Sequence, residues 1–104
     1  MAHAIFISYS SKDSEMAEAV CNALEASDIR CWIAPRNITP GVKYAEAIVN
    51  AINRCKVFLL ILSTASNESP QVEMEVDRAA SKDIPILSFR IDQVVLSKSM
   101  EYYL

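Results

Sequence analysis

The chain has 104 residues, of which 52% are hydrophobic and 22% charged, and its formal net charge is −3. This length accommodates one domain around one core, and an acidic balance without a basic cluster argues against a nucleic-acid-binding surface. The longest apolar run, residues 57–62, is far shorter than the roughly 20 residues of a membrane span, so we expect no membrane insertion.

Strand-like and helix-like segments alternate along the first half of the chain. Residues 4–9 and 29–33 are short runs rich in β-branched and aromatic side chains, typical of strands. Between them, Asp13 is placed to cap a helix whose apolar residues recur at helical spacing: Met16, Ala17, Val20, Cys21 and Leu24. The loop of residues 34–41 follows, with two prolines and the only glycine of the chain.

The alternation continues in the second half. A second helical stripe consists of Tyr44, Ile48, Ala51 and Ile52, and residues 57–62 are apolar on both faces, as in a central parallel strand. After a polar loop at residues 63–69, Ser69 and Pro70 are typical of the cap and first residue of a helix. The stripe of this third helix is Val72, Val76, Ala79 and Ala80, and a fourth strand lies within residues 84–91.

Repeated strand–helix–strand units predict a parallel sheet with right-handed crossovers. We therefore expect a small doubly wound α/β fold with flavodoxin-like strand order. Ligands of such sheets bind beyond the carboxyl ends of the strands, which here are residues 8–12, 34–41 and 63–69. One glycine cannot form a glycine-rich phosphate cradle, so a bound nucleotide would depend on hydroxyls, Arg36 and a helix N-terminus.

The cysteines and the single histidine indicate the cellular setting. Cys21, Cys31 and Cys55 lie in apolar surroundings without a Cys-x-x-Cys pair, which predicts reduced core thiols and a cytoplasmic location. His3 stands beside the N-terminus, where neither a zinc site nor a Ser-His-Asp triad is easily built, so we expect no metal site. Because Met1 is followed at once by a strand-like segment, no signal peptide is expected.

Three segments, in this order and spacing, resemble the Toll/interleukin-1 receptor (TIR) family. Residues 6–13 (FISYSSKD) resemble its opening box, and residues 31–41 (CWIAPRNITPG) resemble its second box, which ends in the BB loop. Leu62 and Ser63, with residues 69–76 (SPQVEMEV), resemble the entry to the helix that carries the family's catalytic glutamate. The version with WIAPR is typical of bacterial members, so the resemblance implies a bacterial-type TIR domain.

The resemblance implies two classes of function. Many TIR domains cleave NAD⁺ between nicotinamide and ribose and release ADP-ribose or a cyclic form, whereas others are scaffolds or adaptors that signal by TIR–TIR contact. We expect the enzyme, acting in bacterial immune defence, with NAD⁺ as substrate and no separate cofactor; the adaptor is the alternative. A receiver-like fold is disfavoured, since receivers place an aspartate at the end of the third strand, where this chain has Ser63.

One carboxylate suffices for this chemistry. Pyridinium leaves as neutral nicotinamide without a general acid, and one glutamate can hold the ribose hydroxyls and stabilise an oxocarbenium-like transition state. Helical periodicity places Glu73 and Glu75 on opposite sides of the apolar stripe and does not choose between them. The family's glutamate follows the helix-opening serine by six residues, which from Ser69 implies Glu75.

The resemblance also implies substrate-binding residues and a partner surface. The implied nucleotide contacts are Ser8, Tyr9, Ser10, Trp32, Arg36, Ser63 and Gln71. Gln71 occupies the position where many active members have a tryptophan, so a stacking surface is lost. The family's BB loop contacts the next protomer head-to-tail, which implies self-association through the loop from Ala34 to Gly41. Gly41 is expected to supply a backbone angle that other residues resist.

Residues 96–104 indicate how much of a TIR domain the chain contains. TIR domains usually continue through a further strand and a closing helix, and residues 96–104 resemble the approach to that helix. We therefore expect residues 1–104 to be one TIR domain, truncated at its C-terminus before the closing helix.

Overall fold

Four strands form one parallel sheet in the computed structural model, which describes residues 3–104. They are β1 (Ile5–Ser8), β2 (Cys31–Trp32), β3 (Val57–Leu62) and β4 (Ile86–Arg90). Their order across the sheet is β2-β1-β3-β4, and every neighbouring pair is parallel. With helices on both faces, this is the predicted flavodoxin-like α/β fold, and the fold prediction is confirmed.

Among the described residues, five α-helices connect or follow the strands. They are α1 (Ser14–Ala26), α2 (Tyr44–Arg54), α3 (Thr64–Asn67), α4 (Pro70–Ser81) and α5 (Lys98–Tyr103), and a 3₁₀ turn (Ser11–Asp13) precedes α1. The start of α4 is as predicted: the Ser69 hydroxyl accepts from the Val72 N–H at 3.2 Å, and Pro70 is the first helical residue. This cap fixes the register of α4 and hence the direction of each of its side chains.

Two local predictions were wrong. Residues 63–69 were expected to form a loop, but they contain α3, which begins with a reciprocal capping box between Ser63 and Ser66. Asp13 does begin α1, but its carboxylate makes no capping hydrogen bond; it accepts from the Ser63 hydroxyl instead. The Asp13 carboxylate therefore bonds to a residue distant in the sequence instead of capping the helix that follows it.

The sheet separates two apolar layers. Beneath α2, α4 and α5, the rings of Phe6, Trp32 and Phe58 stack with centroid separations of 5.1 and 5.4 Å along the sheet. On the opposite face, Ile7 and Ile61 pack with Cys21 of α1. Both faces of β3 are thus occupied, which accounts for its uninterrupted apolar sequence.

The cysteines lie in these layers, as predicted. Cys21, Cys31 and Cys55 are all buried, and burial raises the pKa of the Cys31 thiol to about 12. Such a thiol stays protonated and unreactive at neutral pH. In the described residues 3–104, no helix combines the length and apolar character needed to cross a bilayer.

Candidate active site

Glu75 lies at the carboxyl end of β1, although it belongs to α4. The apolar stripe of α4 turns Val72, Val76 and Ala79 toward the sheet, and Glu75, beside Val76, is carried to the edge of that contact. Its side chain is buried, with 8% of the residue exposed. The helix therefore delivers a carboxylate to the place where parallel sheets bind ligands.

Two hydrogen bonds hold this carboxylate. Ser8, the last residue of β1, donates from its hydroxyl to Oε1 of Glu75 at 2.7 Å. Gln71, one turn earlier on α4, donates from Nε2 to Oε2 at 2.8 Å. One donor comes from the sheet and the other from the helix, so the orientation of the carboxyl group is fixed from both sides.

Burial sets the electrostatics of Glu75. Desolvation raises the pKa of its carboxyl group above the ordinary value, and the hydrogen bonds from Gln71 and Ser8 lower it by less. A buried carboxylate with a raised pKa at the wall of a cleft is a typical functional group, because its charge is poorly screened there.

Glu73, the competing candidate, faces elsewhere. It is half-buried and lines a shallow depression with Pro70, Met74 and Tyr103 on the other side of α4. Helical periodicity alone did not distinguish the positions of Glu73 and Glu75. The packing of α4 against the sheet buries Glu75 and leaves Glu73 on the other side of the helix.

A cleft of about 220 Å³ opens in front of Glu75, between α2 and α4 above the ends of β1 and β2. Of the predicted binding residues, Tyr9, Ser10, Trp32 and Gln71 line this cleft, and Ser8 is bound to Glu75 behind it. The lining residues that sequence reasoning did not assign to the site are Phe6, Ile7, Ser11, Ala34, Tyr44, Ile48 and Ser69.

Several cleft residues also shape its walls. The Tyr9 hydroxyl donates to the Ala34 carbonyl, which ties the end of β1 to the loop after β2. Trp32 is only 6% exposed because its ring is stacked on Phe6. The Ser10 hydroxyl accepts from the Lys12 N–H at 3.3 Å and caps the 3₁₀ turn. The cleft is therefore a preformed feature rather than a gap between loose loops.

Two predicted binding residues are not brought into the cleft. The Arg36 guanidinium donates to both carboxylate oxygens of Glu25 at 2.7 and 2.8 Å and to the Cys31 carbonyl at 2.9 Å. This ion pair lowers the pKa of Glu25 to about 2. Ser63 is buried and donates to Asp13 while accepting from the Ser66 N–H. Arg36 thus lies beside α1, and Ser63 supports the start of α3.

Comparison with known proteins identifies the family. The model of the TIR domain family matches residues 5–102. The chain belongs to the TIR family. No curated protein sequence matches this TIR domain. The family prediction is confirmed, and its restriction to the bacterial type stays a prediction.

Solved structures share the fold of this TIR domain. The TIR domain of the Toll-related receptor TRR-2 from Hydra magnipapillata has a TM-score of 0.85 at 19% identity, covering 94% of this chain and 78% of that one. The TIR domains of the activated Roq1 resistosome, which directly recognises the pathogen effector XopQ, give 0.78 at 14% identity, covering 88% and 58%. A metazoan TIR-STING receptor from C. gigas gives 0.77 at 23% identity, covering 95% and 35%.

The chemistry available to this TIR domain follows from the cleft lining. Glu75 is the only carboxylate among the lining residues, and the tyrosines Tyr9 and Tyr44 are the other ionisable ones. Within the described part of the chain, no three His, Cys, Asp or Glu side chains are grouped as metal ligands. The arrangement supplies one fixed carboxyl group, hydroxyl groups and aromatic walls.

Proposed function

We propose that this TIR domain is an NAD⁺ glycohydrolase in which Glu75 is the single catalytic carboxylate. The observation that carries the proposal is the buried carboxylate of Glu75, fixed by Ser8 and Gln71 at the wall of the cleft. A carboxylate oriented in advance, in a poorly hydrated site, stabilises a cationic transition state without reorganising at the moment of reaction.

The reaction needs no second carboxylate. The bond between ribose C1′ and the pyridinium nitrogen breaks, and its electron pair neutralises the nitrogen of the departing nicotinamide. The positive charge that develops on the ribose is stabilised by Glu75, and water then adds to C1′ and loses its proton to solvent. Each oxygen of Glu75 has lone pairs beyond those that Ser8 and Gln71 use, so ribose hydroxyls can donate to it.

The small size of the cleft supports the idea that two protomers must assemble before NAD⁺ can be cleaved. Its volume of about 220 Å³ is below the roughly 300–1,000 Å³ of small-molecule sites, and NAD⁺ is a dinucleotide. One protomer therefore cannot enclose the substrate. We infer that a second protomer completes the site head-to-tail, through the loop of residues 34–41, whose Pro40 and Gly41 are exposed.

A second candidate function, a non-catalytic adaptor, has its own supporting observation. Both oxygens of Glu75 already have donors within the chain, so the buried carboxylate is satisfied without substrate. On this alternative Glu75 is structural, and the domain signals by TIR–TIR contact alone.

Nicotinamide release from NAD⁺ by the purified, assembled protein tests the enzyme against the adaptor. We expect Glu75→Gln to lower the rate by at least about 10²-fold, as when a principal electrostatic group is removed. Glu73→Gln, the matched control two residues away on the same helix, should retain activity. Circular dichroism of both variants checks that the fold is intact. Equal losses in the two variants, or no loss in Glu75→Gln, would refute the role of Glu75, and an inactive wild type would favour the adaptor.

We further infer a cytoplasmic, bacterial defence role. The WIAPR segment, typical of bacterial members, supports the bacterial assignment, and the buried, protonated thiols suit a reducing compartment that holds NAD⁺.

A further inference from the structure

A second and larger cavity lies outside the edge strand β2, against α2. Its volume is about 540 Å³, more than twice that of the cleft. Of the residues that the structure describes, only Trp32 borders both cavities. We call this cavity the α2 groove; its lining residues are His3, Trp32, Asn37, Thr39, Val42, Ala47, Asn50, Ala51 and Arg54. Except for Trp32, none of them lines the cleft at Glu75, although Asn37 and Thr39 belong to the loop proposed to contact the next protomer.

The groove exists because one wall has small side chains and the other is fixed. Ala47 and Ala51, one turn apart on α2, leave space above the edge of the sheet. Opposite them, Asn37 accepts from the Ile33 N–H through Oδ1 at 3.0 Å and donates its own N–H to the Ile33 carbonyl at 3.0 Å. These bonds hold the loop beside β2 and leave the Nδ2 donor of Asn37 available.

The same bonds exclude one kind of occupant. A peptide that adds to an edge strand needs its free backbone groups. Beside the groove, Asn37 already occupies those of Ile33, and Arg36 donates to the Cys31 carbonyl at 2.9 Å. The α2 groove is therefore suited to a small molecule rather than to an added strand.

The polar groups of the groove combine the donor-only guanidinium of Arg54 with amide and hydroxyl groups that can donate or accept. Asn50 and Arg54 are one turn apart on α2, and Thr39 lies across from them. Within residues 3–104, the side chains of these three residues form no hydrogen bond or ion pair. Arg54 brings a full positive charge, and none of the lining residues is acidic. A cation among amide and hydroxyl donors is the chemistry that recognises an anion rich in acceptors.

The charged residues around His3, at one end of the groove, also favour an anion. Burial and then the charges of Arg30 and Arg36 lower the pKa of His3, and Glu25 raises it by less. At His3 the positive charges of Arg30 and Arg36 therefore each outweigh the negative charge of Glu25.

We propose that the α2 groove binds a small phosphorylated molecule, of about the size of a nucleoside monophosphate. The guanidinium of Arg54 binds the phosphate through two parallel N–H···O hydrogen bonds. Asn50, Thr39 and Asn37 bind the hydroxyls or ring of the rest of the molecule. The volume lies within the range of small-molecule sites, unlike that of the cleft. This site does not depend on the chemistry of Glu75.

The only tryptophan of the chain reports on the groove, so fluorescence titration with AMP tests the proposal. We expect a saturable change in Trp32 emission and an affinity at least about tenfold lower in Arg54→Gln, as for loss of a charged hydrogen bond. Arg78→Gln, which removes the same charge from α4 outside the groove, is the matched control and should bind AMP normally. Arg54 is exposed, so its replacement leaves the core intact.

Two further titrations test whether AMP binds in the α2 groove rather than in the cleft, and whether its phosphate is recognised. Because Trp32 also borders the cleft, Glu75→Gln should bind AMP as tightly as the wild type; a change of affinity in either direction in that variant would place AMP in the cleft and overturn the proposal. Adenosine, which lacks the phosphate, should bind at least about tenfold more weakly than AMP. Equal binding of adenosine and AMP, equal affinity of Arg54→Gln and wild type, or no saturable signal would also overturn it.

Discussion

Gln71 influences the pKa of Glu75 through one hydrogen bond. Its Nε2 donates to Oε2 of the carboxylate at 2.8 Å and lowers a pKa that burial raises. Replacing it by leucine removes the donor, so the pKa of Glu75 should rise further. If cleavage needs the ionised carboxylate, activity falls as pH drops through that pKa, and Gln71→Leu should move this acid limb of kcat/KM to higher pH.

The measurement is the pH profile of nicotinamide release in wild type and variant. Gln93→Leu, the same substitution at an exposed position beyond β4, is the control and should leave the profile unchanged. A Gln71→Leu profile with a lower rate but an unshifted acid limb would show that Gln71 only contacts substrate or shapes the cleft.

At the scale of the element, two helices end on aspartates in the left-handed region. Asp28 follows α1 with φ of 63°, and Asp83 follows α4 with φ of 57°. After these turns the Ile29 N–H reaches the Leu24 carbonyl and the Ile84 N–H reaches the Ala79 carbonyl, which closes both helix ends. Glycine usually occupies such positions because side chains disfavour them.

Asp83→Gly should therefore raise the free energy of unfolding by about 0.5–1 kcal/mol, since relief of the left-handed strain outweighs the greater freedom of the unfolded chain. Urea denaturation measures the difference. Ser81→Gly, within the last turn of α4, is the control and should destabilise by a similar amount, because there glycine loses helix propensity without relieving strain. Destabilisation by both glycines would contradict the explanation.

At the scale of the whole molecule, activity should depend on self-association. The cleft of one protomer is small, and Gly41, with φ of 89°, turns the exposed loop that we expect to contact the next protomer. No atom lies within 4 Å of a Cβ built at Gly41, so an arginine there does not clash with its own chain, but at φ of 89° it strains the exposed loop and so alters the loop rather than the core. Gly41→Arg and Pro40→His should thus suppress turnover by blocking assembly while the domain stays folded.

Turnover per protomer, followed over about a hundredfold dilution with light scattering in parallel, should fall as assemblies dissociate. Fusion to an oligomerising partner should restore it. Constant turnover in a protein that remains monomeric at every concentration would show that one chain completes the site.

The order of strands and helices could be read from the sequence because hydrophobic periodicity and capping are local. The apolar runs of β1 and β3 and the Ser69–Pro70 start of α4 each depend on a few neighbouring residues. The helix α3 was missed because its cap is a serine pair within a polar stretch that has no apolar stripe.

The sequence by itself determined the α/β class and the family through its three motif segments, and the family's spacing from Ser69 predicted Glu75 as the catalytic residue. Only the tertiary structure decided that Glu75 is buried and held by Ser8, 67 positions away in the chain. It also decided that Arg36 pairs with Glu25 of α1 instead of facing the cleft. A side chain's partner depends on which elements pack together, and that long-range information is absent from local periodicity and spacing.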